Sequence, residues 1–141
     1  MILVTGATGH VGRAVVCRLA SVGYDVVAMI RGVQAASRRM PSGIALRVAD
    51  YEDTSALKRS LAGIDDMDLI SSDADASAFM RHHANAIEAA TATNIRHITF
   101  ISIADTDELS PILLLTCLPR HRAPTGGLRC AFDHPQMWSQ A

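Results

Sequence analysis

The residues most able to do chemistry lie near the N-terminus, in the run Thr5-Gly6-Ala7-Thr8-Gly9-His10-Val11-Gly12. It follows a short apolar stretch, Ile2–Val4, and opens a segment with helical periodicity. In a glycine pattern of this kind Gly6 permits a tight turn, Gly9 lets backbone approach a pyrophosphate, and Gly12 lets helix and strand pack closely. The exposed N–H groups of Thr8, Gly9, His10 and Val11, with the positive dipole end of the helix, then receive phosphates. His10 serves here through its N–H more than its imidazole. The alternative is a glycine-rich turn with no ligand. The position of the loop, directly between a strand and a helix, favours nucleotide binding.

Further along, the second apolar run ends at Ile30-Arg31. Folds that select NAD place an acidic residue about here, roughly 20 residues past the glycines, to bind the ribose hydroxyls. Arg31 instead presents a planar cation suited to a 2′-phosphate, so the expected cofactor is NADP(H). An ordinary surface arginine is the alternative, and a solvated helix face is the reading for Arg38 and Arg39. Ser71 and Ser72 follow the fourth apolar run, within reach of the cofactor's ribose or diphosphate. Small hydroxyl residues also simply end strands there.

These residues need a scaffold of alternating strands and helices. Short β-rich runs recur at Ile2–Val4, Asp25–Ile30, Ile44–Val48, Met67–Ile70 and His97–Ile103, mostly without polar alternation, as in parallel strands covered on both faces. Helical stretches fall at Val11–Val22, Ala35–Met40, Thr54–Leu61 and Ala76–Thr93. In the first of them Val11, Val15, Leu19 and Val22 share one face. Asp53 or Thr54 can cap the third helix and Asp75 or Ser77 the fourth, while Gly23 and Gly63 supply the positive φ that helix ends require. Right-handed crossovers turn this alternation into a doubly wound α/β parallel sheet of strand order 3-2-1-4-5, with the ligand outside the carboxyl ends of strands one and four.

Composition narrows the class. The 141 residues are 49% hydrophobic and 19% charged, with a formal net charge of -1, so they form one core and no basic face for nucleic acid or membrane. No apolar run reaches the roughly 20 residues that cross a bilayer, and no signal peptide precedes the first strand. Cys17, Cys117 and Cys130 are odd in number and without CxxC spacing, which suits reduced apolar fillers in a cytoplasmic protein. His82 and His83 diverge by about 100° on a helix and cannot face one metal. Asp65, Asp66, Asp68, Asp73 and Asp75 read as a solvated rim rather than a cation site.

The TGATGHVG loop resembles that of the short-chain dehydrogenase superfamily, in its atypical NmrA-like branch. The resemblance runs on through Met29-Ile30-Arg31, Val48-Ala49-Asp50-Tyr51, Leu69-Ile70-Ser71-Ser72, Phe100-Ile101-Ser102 and Ser110-Pro111. Together these look like the NAD(P)H:quinone oxidoreductase type 2 subgroup, with a Rossmann-type sheet. The resemblance implies an adenine-contacting role for Asp50, whose other reading is a turn or helix-entry residue. It also sets Ser102 at the superfamily's catalytic serine position, the alternative being a strand-end hydroxyl. The Tyr-x-x-x-Lys pair of classical members is absent, since Tyr24 and Tyr51 are the only tyrosines and Lys58 the only lysine. Quinone reduction does without it, because hydride transfer needs mainly the positioning of nicotinamide against the acceptor. The implied activity is NADPH-dependent reduction of a small quinone-like acceptor; a non-catalytic NADP(H)-sensing regulator is the alternative.

Residues 1–111 are thus expected to form the NAD(P)-binding domain. Residues 112–141 lose helical period and turn rich in Arg, His, Pro and Gly, which reads as an irregular, out-of-frame tail, the alternative being a genuinely short protein with a divergent tail. A one-nucleotide shift allows 121–140 to be read as an amphipathic helix, a glycine turn and a buried strand, and Met137-Trp138 then encodes Cys-Gly. A frameshift near Pro111 would leave the sheet incomplete at the C-terminus. It would also impair catalysis and expose a strand edge through which the chain forms homodimers or aggregates.

Overall fold

The computed structural model describes residues 1–32, 40–70 and 76–101. Five strands and three helices alternate along them: β1 (Ile2–Val4), α1 (His10–Ser21), β2 (Val26–Ile30), β3 (Ala45–Val48), α2 (Thr54–Leu61), β4 (Asp66–Ile70), α3 (Ala76–Ala92) and β5 (His97–Ile101). The strands form one parallel sheet in the order β3-β2-β1-β4-β5, as the strand–helix alternation predicts. Of the helix expected over Ala35–Met40, all but Met40 lies outside the described residues, as do Ile103, Asp73, Asp75 and the tail.

Alternation of side chains across the sheet builds two cores. Leu3, Val27, Met29, Met67 and Leu69 face α2 and α3, where they meet Leu57, Leu61, Ala86, Ala89 and Ala90. Val4, Val26, Ala28 and Ile70 face α1 and pack with Ala7 and Val16. Burial of apolar surface on both faces is what a central parallel strand requires, and all five residues of β2 are buried.

Helix ends follow local chemistry. Asp53 caps α2 by accepting the Ala56 N–H at 2.8 Å. Behind α1, the Tyr24 N–H reaches the Leu19 carbonyl and the Gly23 N–H that of Ala20, a closure that needs the positive φ of Gly23. Asn94, with φ of 59°, closes α3 in the same way.

Three expectations are corrected. The buried side of α1 runs through Gly12 and Val16, with Val15 and Leu19 partly buried, while Val11 and Val22 are each 50% exposed. Close packing of Gly12 against the loop backbone shifts the centre of the buried face towards Gly12 and Val16, keeping Val15 and Leu19 at its border. Among the described residues strand β3 ends the sheet, and Val48 within it is 54% exposed rather than covered. Asp66 lies within β4, one residue before the expected start of that strand, so it and Asp68 do not form a rim around it: they pair with Ile2 and Val4 on one side and His97 and Thr99 on the other.

Candidate functional site

The loop that leaves β1 turns at Gly6, whose φ is 57°, and the Gly9 N–H closes onto the Gly6 carbonyl at 3.0 Å. Only glycine enters this left-handed conformation without cost. Gly9 is the N-cap of α1, with φ -75° and ψ 171°, and it makes no side-chain cap bond to the first-turn N–H groups. Those donors and the helix dipole are therefore presented at an uncapped end. A Cβ at Gly9 would meet only the Gly6 carbonyl oxygen among the described residues, at 3.3 Å, so the surface there is bare backbone. Gly12 is different. A Cβ at that position would stand 2.7 Å from the Gly6 carbonyl carbon and 2.8 Å from the Ala7 Cα. The three glycines thus divide their tasks as the spacing predicts: turn, open approach and close packing.

Gly9, His10 and Val11 are exposed around this end of α1, and Thr8 is half-buried. Arg31 is exposed immediately beyond β2, on the same carboxyl edge of the sheet. Asp50 stands beyond β3 and accepts the Glu52 N–H at 3.0 Å through Oδ1, while its carbonyl accepts from Asp53. Asp50 thus acts as a turn-former leading into α2, and it occupies the edge on which the loop lies. Ser71 and Ser72, one and two residues past the end of β4, and Ser102, one past the end of β5, lie outside the described residues.

Two residues absent from the sequence-based set bind this edge together. Thr5 accepts the Ile70 N–H through Oγ1 at 2.8 Å and donates to the Asp68 carbonyl at 3.2 Å, joining the loop to β4. Tyr51 is 6% exposed, and its hydroxyl donates to the Ile70 carbonyl at 3.0 Å. Burial pushes the Tyr51 phenol up to about 12; Thr5 and the Arg31 guanidinium pull the other way and Asp50 adds to the rise. Both carboxyl-edge charges therefore act on Tyr51. A buried tyrosine hydroxyl usually finds a hydrogen-bond partner, but nothing near Tyr51 in the sequence points to Ile70.

His82 and His83 occupy separate environments, as adjacent helix positions must. His82 stacks on Tyr51 with centroids 5.3 Å apart, and its Nε2 lies 3.0 Å from Glu52 Oε1. His83 is buried between the rings of Phe79 and Phe100.

A doubly wound parallel sheet with an uncapped glycine-turn helix at its switch point defines a dinucleotide-binding α/β domain. The chain belongs to the NAD(P)H-binding family, whose model matches residues 6–115. It is 36% identical over 113 residues to quinone oxidoreductase 2 of Escherichia coli, covering 77% of this chain and 39% of that protein. It is 31% identical over 106 residues to an NmrA-like family domain-containing oxidoreductase of Aspergillus flavus, covering 72% of this chain and 34% of the other. Among solved structures, triphenylmethane reductase of Citrobacter sp. complexed with NADP(H) superposes with a TM-score of 0.75 at 30% identity, over 83% of this chain and 42% of that one. The NADPH complex of the Escherichia coli quinone oxidoreductase gives 0.71 at 34% identity, over 82% and 41%. The chain spans 39% and 34% of the length of the two named sequence relatives.

Proposed function

We propose that this chain binds NADP(H) and forms the cofactor half of an NADPH-dependent oxidoreductase acting on a small quinone-type acceptor. The observation that carries the reading is the uncapped N-terminus of α1 at the Gly6–Gly12 turn, on the sheet edge that also bears Arg31. His10 and Val11 offer N–H donors to the diphosphate, Thr8 and Gly9 line its approach, and Gly6 and Gly12 shape the turn. Arg31 meets the 2′-phosphate and Asp50 the adenine side. Ser71 and Ser72 serve the ribose or diphosphate, and Ser102 the catalytic end. The relatives' names support the acceptor class, and the NADP(H) and NADPH complexes of the solved neighbours support the cofactor.

Bound nicotinamide supplies the hydride; the chain's own contribution is to hold and orient it. On this reading residues 1–111 are the NAD(P)-binding domain and 112–141 an irregular, out-of-frame tail, in a cytoplasmic chain that binds cofactor but turns over poorly. It associates as a homodimer or aggregate through a sheet edge, which size exclusion with light scattering reads directly. No helix among the described residues is long and apolar enough to cross a membrane.

The second reading, an NADP(H)-sensing regulator without turnover, is favoured by one feature: Tyr24 and Tyr51 are followed four residues on by Ala28 and Ser55, not lysine. Calorimetry with NADPH and NADH, followed by NADPH oxidation in the presence of a quinone, tests both. Tight NADPH binding with quinone-dependent oxidation, however slow, supports the oxidoreductase. Binding with no oxidation and a redox-dependent partner supports the regulator, and failure to bind either dinucleotide removes both.

A further inference from the structure

Pairing of β1 with β4 ends at Val4 opposite Asp68, so Ile70 extends beyond its β1 neighbour. Side chains from two other segments take over its backbone groups. The N–H donates to Thr5 Oγ1 at 2.8 Å, and the carbonyl accepts from the Tyr51 hydroxyl at 3.0 Å. Thr5 immediately precedes Gly6, and Tyr51 immediately follows Asp50. The Ile70 side chain also lies against the turn, since a Cβ on Gly6 would be 3.4 Å from the Ile70 Cβ. The phosphate loop, the end of β4 and the turn after β3 therefore meet on a single residue.

Tyr51 is itself held. Its ring stacks on His82, and its carbonyl accepts from Asn85 Nδ2 at 2.8 Å, both from α3. Glu52 Oε1, one residue on, lies 3.0 Å from His82 Nε2. A phenol gripped on ring and backbone delivers its hydroxyl to one place, which is what preorganising a binding edge requires.

The geometry points to Tyr51 as a positioning residue for the dinucleotide: its hydroxyl sets where the Ile70 carbonyl stands relative to the Gly6 turn. This rests on the reading of that turn as the dinucleotide site. Tyr51 touches no cofactor in this role; it acts through the Ile70 peptide.

The test is NADPH affinity, by calorimetry on the full chain, for the wild type, Tyr51→Phe, Thr5→Val and their double variant. Tyr51→Phe keeps the ring and removes only the hydroxyl; it should weaken binding roughly 3- to 10-fold, the worth of one hydrogen bond. The double variant should lose less than the product of the single losses, because both side chains act on one residue. Ile70 amide exchange should quicken in Tyr51→Phe while that of Leu3 does not. Ser60→Ala is the control: it removes a buried hydroxyl bond to the Leu57 carbonyl, far from this edge, and should lower the melting temperature while leaving affinity alone. Wild-type affinity in Tyr51→Phe, or a similar loss in Ser60→Ala, overturns the positioning role. Should Tyr51→Phe not fold, Thr5→Val decides, unchanged affinity there counting against the brace and a loss counting for it. A wild type that binds no NADPH overturns the functional reading and this one together, whereas binding by the wild type with no effect of either variant overturns this one alone.

Discussion

Gly12 rests directly on the backbone of Gly6: a Cβ at Gly12 would come within 2.7 Å of the Gly6 carbonyl carbon, with no flexible side chain there to give way. Three residues earlier in the same loop, a Cβ at Gly9 has one neighbour among the described residues, at 3.3 Å. Two glycines of one motif are therefore present for opposite reasons.

Substitution should separate them. Gly12→Ala overpacks the junction of loop and helix and is expected to destabilise the domain by about 1–3 kcal/mol or more. Gly9→Val should leave the melting temperature near that of the wild type but abolish dinucleotide binding, because its side chain occupies the diphosphate's approach. Thermal melts paired with calorimetry check both. Retained affinity in Gly9→Val would mean that the loop does not cradle phosphate.

Arg31 should decide between the two dinucleotides. On the proposed 2′-phosphate role, Arg31→Ala is expected to weaken NADPH binding about tenfold or more, with NADH nearly unchanged. Parallel titrations with the two cofactors measure this, and equal losses would remove the 2′-phosphate role.

Tyr51 gives the fold an alkaline limit. Its phenol is raised to about 12 in the folded protein, mainly by burial, against an ordinary value of 10.0. Below pH 10 the phenol is protonated whether folded or not, and its contribution is fully present. Between pH 10 and about 12 the unfolded chain releases the proton first, so stability falls as pH rises, by roughly 2–3 kcal/mol in all. Denaturant unfolding of the wild type and Tyr51→Phe across that window should show the wild type's advantage shrinking. A constant gap would contradict the burial of the hydroxyl.

Asp68 contributes with the same sign in acid. Partial burial holds its carboxyl above the usual range and Asp66 adds to the rise, while the Thr99 side chain opposes it. A raised folded value means stability present below the unfolded pKa and lost as pH climbs through the folded one. Asp68→Asn should therefore melt higher than the wild type near neutral pH, with the difference fading as the solution is acidified. A lower melting temperature for the variant at pH 7 would show that the ionised carboxylate earns its place within β4.

Much of this protein follows from local sequence. The strand order rests on the alternation of short apolar runs and helical stretches, because right-handed crossovers leave few ways to wind such a chain. The glycine turn, the Asp53 cap and the Gly23 helix end were legible because each answers a requirement set within a few residues. Other features depended on what lies across the sheet. Valine spacing found only part of the buried face of α1: Val15 and Leu19 pack on the core, but Gly12 and Val16 are its buried residues and Val11 and Val22 are exposed. The exposure of β3 came from its place at the end of the sheet, and the placing of Asp66 and Asp68 came from strand register. Tyr51 is the clearest case. Nothing within a few residues of it announces Ile70, and the two meet only because β3 and β4 end on the same edge, with β2 and β1 between them. Local pattern specifies elements and turns; which side chains complete one another's hydrogen bonds is decided only when distant strands are brought side by side.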